Sequence, residues 1–185
     1  VWLNLLNNFA IEEIDFTGAE MGILQSVREI PGFLAFTVIF VLAFIREQKL
    51  AYISLALLGT GIAITGFVET NMNFYLATII MSTGFHYFET INGSLTLQWI
   101  EKDKTAEFLG RVIATRSAAS IVSFSFVWLL YEQFHFSYLW LYLLGGGISV
   151  MIVLYCWQNF PLFPEKVSQT KKIILRKRYW LYYAL

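Results

Sequence analysis

Ser82, His86, Glu89, Gly93 and Thr96 follow one another at intervals of four, three, four and three residues. On an α-helix that rhythm lines them up along one narrow stripe. The stripe lies in a long apolar run, Phe74 to Ile100, whose midpoint is residue 87. At 1.5 Å per residue His86 and Glu89 therefore fall within about 3 Å of its centre. An ionisable group at the centre of a membrane is costly unless paired or wetted, so each is a functional candidate there. A carboxylate in that setting can take up and release a proton, burial favouring the neutral form and a nearby cation the charged one. The same two residues have the His-x-x-Glu spacing that can present two metal ligands on one face. A metal centre needs about three protein ligands, and the only other histidine, His135, falls in a polar break at another depth.

Three more charged groups lie in or beside apolar runs. Arg116 sits in the run Phe108 to Tyr131. If that run returns antiparallel to the previous one, Arg116 and Glu89 come to within about 2 Å of the same depth, and an ion pair between helices is expected. The pair is either a packing bridge or a coupled site in which Glu89 takes a proton and Arg116 is freed for an anionic group. Arg28 and Glu29 precede Pro31 and Gly32 near the outer end of the run Ile23 to Ile45. Pro31 removes a backbone hydrogen bond and should kink the helix. Neighbouring residues point about 100° apart, so Arg28 and Glu29 are expected to find separate partners. They would form an outer gate, or Arg28 would simply snorkel towards headgroups.

The elements that must position these groups are membrane helices. Hydrophobic residues make up 57% of the 185 residues and charged residues 14%, against roughly 45–50% and 25% in a soluble domain. Five runs, 23–45, 50–68, 74–100, 108–131 and 136–160, reach the roughly 20 residues that cross a hydrocarbon core. They are continuous rather than alternating, which argues against a membrane β-barrel. The fold class expected is therefore all-α, a polytopic transmembrane bundle with sequential helices antiparallel across short loops. Gly59, Gly61 and Gly66 in the second run, and Gly145 to Gly147 in the fifth, allow close helix approach. Ten of the thirteen Lys and Arg residues lie in the breaks 46–49, 102–104 and 166–178, whereas the alternate breaks hold none. The positive-inside rule then places the basic breaks in the cytoplasm of a multi-pass plasma-membrane protein, with the bilayer as a partner. Trp99, Trp128, Tyr131 and Trp157 at run ends read as interfacial anchors.

The chain starts in VWLNLLNNFAI, too short to span, and stops in an apolar run at 179–185, which suggests a piece of a longer protein whose first helix is cut. Between them 161–178 is a polar, basic linker that anionic lipid would attract. The one cysteine, Cys156, excludes an internal disulfide framework.

The order of parts resembles the major facilitator superfamily of secondary transporters. The resemblance rests on FTGAEMGILQSVREIPGFLAF, the basic turn IREQKLAYISLALLGTGIAITGF, the stretch GFHYFETINGSLTLQWIEKDKTAEFLGR, and the basic linker leading into RKRYWLYYAL. It implies that residues 1–160 are five complete spans of a six-helix amino-terminal half. The carboxy-terminal half of a twelve-helix transporter would be missing, and a further helix would begin at 179. The turn between the first two runs carries the basic pair Arg46 and Lys49 without the family's Asp and Gly. Arg46 and Lys49 are thus expected as conformational residues beside Pro31 and Gly32, and the family's gating contacts are not carried over.

The function expected is secondary transport of a small organic solute by alternating access, linked to protons, with Glu89, His86, Arg116, Arg28 and Glu29 as substrate and coupling residues. No cofactor, catalytic residue, metal or nucleic-acid partner is expected. The alternatives are an integral-membrane enzyme with a metal at the His86 and Glu89 face, and a non-transporting membrane subunit.

Overall fold

The structure, a computed structural model, describes residues 2–164. Among these the chain forms six helical rods and no strand: α1 (Trp2–Glu12), α2 (Gly18–Leu42), α3 (Glu47–Thr65), α4 (Asn71–Trp99), α5 (Thr105–Gln133) and α6 (Tyr138–Asn159). Four of them, α2, α3, α5 and α6, are long and apolar enough to cross a membrane. The run expected at 74–100 forms α4, which with 29 residues is amply long but is less apolar than these four. Its Asn71, Asn73, His86, Glu89, Asn92 and Gln98 make it the most polar of the long helices.

The first long helix also starts earlier than its apolar run. Thr17 and Glu20 close a capping box: the Thr17 backbone N–H and hydroxyl each donate to Glu20 Oε2 at 2.8 Å, and the Glu20 N–H donates to Thr17 Oγ1 at 3.4 Å. That arrangement satisfies N–H groups with no partner inside the helix, so α2 begins at Gly18 rather than Ile23. The irregularity expected at Pro31 comes just after it. The α-helical part continues to Phe33, tightens into a 3₁₀ turn at Leu34–Thr37, and resumes as Val38–Leu42.

α3 is the centre of the bundle, lying along both α4 and α6. Glycine makes both contacts possible. A Cβ on Gly84 of α4 would stand 2.3 Å from the Leu58 backbone nitrogen and 2.6 Å from the Ser54 carbonyl oxygen of α3. One on Gly146 of α6 would stand 2.3 Å from the Gly59 carbonyl oxygen. Such close backbones are how helices without a hydrophobic drive between them gain dispersion contact. α2 also lies along α4.

α1 packs into the centre of the bundle. Its Trp2, Leu5, Leu6, Phe9 and Ala10 are buried in the main core, and the Phe9 ring meets Phe74, Tyr138 and Tyr142 edge-on at 5.2–5.5 Å. Glu12 at its end accepts from the Tyr138 hydroxyl at 2.6 Å and the Tyr131 hydroxyl at 3.1 Å. α5 is the opposite case. Val127 is its only buried residue, Ile113, Ile121, Phe124 and Trp128 are exposed, and its last turn, Leu129–Gln133, is π-helical.

The loops 43–46 and 100–104 gather at one end of the bundle, here called the basic end, together with the end of α6. Gln48 ties these parts, its Nε2 donating to the Pro161 carbonyl at 3.0 Å and its Oε1 accepting from the Phe163 N–H at 3.0 Å. Of the linker expected at 161–178 only the first four residues are described. The rest of it and the run 179–185 lie outside the described residues.

A cavity at the middle of the bundle

The early start of α2 moves its charged pair. The midpoint of Gly18–Leu42 is residue 30, so Arg28 and Glu29 lie at the centre of the helix and not near its outer end. The sequence placed the pair near the outer end of its run; along the helix it lies at the middle. The separate partners expected for the two residues are corrected as well. Arg28 Nε and Nη2 both donate to Glu29 Oε1, at 3.0 and 2.8 Å. The arginine stem is long enough to close the 100° offset that backbone direction imposes.

α4 brings the stripe against this pair. Ser82 donates its hydroxyl to the backbone carbonyl of Arg28. One turn on, the His86 imidazole lies against Gly32, where a Cβ would come within 2.8 Å of Cε1. Gly32 therefore acts by leaving room for the ring, just past Pro31. His86 Nε2 is 4.0 Å from Glu29 Oε2, too far for a hydrogen bond.

These groups line a cavity of about 360 Å³. Its polar wall is Asn4, Arg28, Glu29, Ser82, His86 and Ser120, and its apolar wall is Trp2, Leu3, Leu58, Ile62, Met81 and Phe85. Ser120 is the contribution of α5 and stands one residue past the midpoint of Thr105–Gln133; His86 stands one residue past the midpoint of α4. The cavity is thus held at mid-depth by residues from five helices. Asn4 was not singled out in the sequence, because α1 is too short to span. Its buried side-chain nitrogen has no hydrogen-bond partner among the described residues.

The stripe does not stay together as one site. Whereas His86 faces Glu29 on α2, Glu89 accepts from Arg116 Nη2 on α5 at 2.6 Å, forming the interhelical pair expected from their depths. Ser120 follows Arg116 by one helical turn, so the ion pair and the cavity wall lie on the same face of α5. Gly93 is exposed with open space around it, and the stripe ends as a site there. Arg46 and Lys49 are exposed at the basic end, far along the chain from this cavity.

A second cavity, of about 480 Å³, opens at the basic end and is lined by Arg46, Gln48, Tyr52, Trp99, Phe160 and Phe163 among others. Its polar wall holds Glu47, 5% exposed, which accepts from Ser94 Oγ at 3.0 Å and Gln98 Nε2 at 2.6 Å. Sequence reasoning passed over Glu47 because the apolar run begins only at Leu50. Ser94 and Gln98, four residues apart on a helix and hence on one face, were the available signal.

Among the described residues no three His, Cys, Asp or Glu side chains converge to hold a metal ion. The His86 and Glu89 face therefore lacks a third ligand there. No family model, curated protein or solved structure matches this chain.

Proposed function

We propose that this protein carries a small organic solute across a membrane by alternating access, with proton binding coupled to the movement. The observation that carries the reading is the mid-depth cavity with titratable side chains on its wall and beside it. Transporter sites characteristically sit near the bilayer midplane, between helices that move relative to one another. α4 would cross the bilayer as a central helix, its polar groups turned to neighbours instead of lipid. α5 would be the moving element, since it buries little, reaches the cavity wall through Ser120 and is tied to α4 by the Glu89–Arg116 pair. The likeness to the major facilitator superfamily supports the same assignment, with α2 to α6 as the second to sixth helices of an amino-terminal half.

In this mechanism Glu89 alternates between a charged form paired with Arg116 and a protonated form that releases it, so proton binding shifts the balance between two arrangements of α5. The complete transporter, of which these helices would be the amino-terminal half, should accumulate solute under an inward pH gradient when reconstituted in vesicles, and Glu89→Gln should abolish accumulation while leaving passive exchange, because Gln keeps the shape and hydrogen bonding of a protonated Glu. Normal gradient-driven accumulation by Glu89→Gln would remove the carboxylate from the mechanism.

The membrane is proposed to be the plasma membrane, with the basic end and the linker 161–178 in the cytoplasm. In a Cys156→Ser background, an impermeant thiol reagent applied from outside should label Asn71→Cys and spare Asp103→Cys. Labelling of the second and protection of the first would invert the orientation.

A further inference from the structure

We propose that the mid-depth cavity selects a zwitterion with an aliphatic body, a molecule of the amino-acid type; this rests on the transport reading only for its physiological use. The charges on the wall cancel, Arg28 against Glu29, and they are adjacent. A ligand with net charge would bring an uncompensated charge to the middle of the bundle, where it is costly. A ligand carrying one charge of each sign would not.

Hydrogen-bonding capacity points the same way. A guanidinium has five N–H donors, and Arg28 gives Glu29 two hydrogen bonds, both to Oε1. Glu29 Oε2 accepts no hydrogen bond from Arg28 and faces His86 Nε2 at 4.0 Å. Asn4 adds a buried amide nitrogen without a hydrogen-bond partner among the described residues. The wall thus offers donors from Arg28 and Asn4, which suit a carboxylate, beside an acceptor in Glu29 Oε2, which suits an ammonium. Ser82 is already committed to the Arg28 carbonyl. Leu3, Leu58, Ile62, Met81 and Phe85 cover the remaining wall and suit a branched alkyl body rather than a polyol, whose hydroxyls they would leave unpaired.

The test uses three probes with nearly the same alkyl body: leucine, 3-methylbutylamine, which lacks the carboxylate, and 4-methylpentanoate, which lacks the amine. Their binding to the full chain in lipid nanodiscs would be measured calorimetrically at neutral pH. Leucine should bind at least about tenfold tighter than either single-charge probe, the value of one charge-assisted contact. In Glu29→Gln the advantage of leucine over 4-methylpentanoate should collapse while its advantage over 3-methylbutylamine persists, and Arg28→Gln should do the reverse. A purely structural role for the pair would weaken all three probes alike. Equal or tighter binding of either single-charge probe overturns the proposal, as does failure of all three to bind. Leucine binding with this pattern but no uptake in vesicles would count against transport alone. Gradient-driven uptake of another solute with the three probes undistinguished would count against the zwitterion alone.

Discussion

Gly84→Ala should destabilise the bundle by about 3 kcal/mol, the upper end of ordinary over-packing, while the same substitution at Gly93 should stabilise it by about 0.5–1 kcal/mol. Both residues lie in α4, so helix propensity favours alanine equally at each. Space decides the sign. The methyl group on Gly84 would meet the Leu58 nitrogen and Ser54 carbonyl at 2.3 and 2.6 Å, backbone atoms that cannot swing aside, so α3 and α4 must part along their contact. At Gly93 it meets nothing within 4 Å. Reversible unfolding in mixed detergent, by steric trapping or denaturant titration, measures both. Equal effects at the two sites would show that α3 and α4 do not pack as described.

Arg116→Glu should cost about 3 kcal/mol of bundle stability, because it faces Glu89 with a second carboxylate at membrane depth. The exchange Glu89→Arg with Arg116→Glu should restore most of the loss, since it keeps an ion pair at the same place. The magnitude is diagnostic. Both side chains are a third or more exposed in the isolated bundle, and in open water such a pair would contribute only roughly 0–1 kcal/mol. A loss below about 1 kcal/mol would therefore put the pair in water rather than in the bilayer. Failure of the double exchange to rescue a large loss would mean that Arg116 acts through some other neighbour.

What the sequence shows most clearly is what depends on period and hydropathy. The helical class, the order of the long helices, and the matching depths of Glu89 and Arg116 all follow from counting residues at 1.5 Å each. What it hides depends on boundaries. A capping box moved the start of α2 by five residues and so carried Arg28 and Glu29 from an expected rim to the middle. The polarity of Glu47 put it outside an apolar run, although it is buried at the first turn of α3. Side-chain reach was hidden too: direction on a helical wheel kept Arg28 from Glu29, and a flexible stem joined them. α1 was hardest to place, because eleven residues too short to span can still fill a core. The sharing of the stripe between α2 and α5 could not be read from α4 alone, since a stripe states which residues face one way and not what stands opposite each.

The polarity of α4 bears on how the protein is made. A helix enters the bilayer sidewise from the insertion machinery when its own transfer from water is favourable, and each ionised or amide side chain near its centre works against this. α2, α3, α5 and α6 are long and apolar enough to cross a membrane, whereas α4 is less apolar. α3 precedes it by a short loop and fits it backbone to backbone at Gly84 and Gly61. If α4 crosses the bilayer as proposed, the two would leave the insertion channel together as a hairpin, with α3 held until residues up to Trp99 are synthesised.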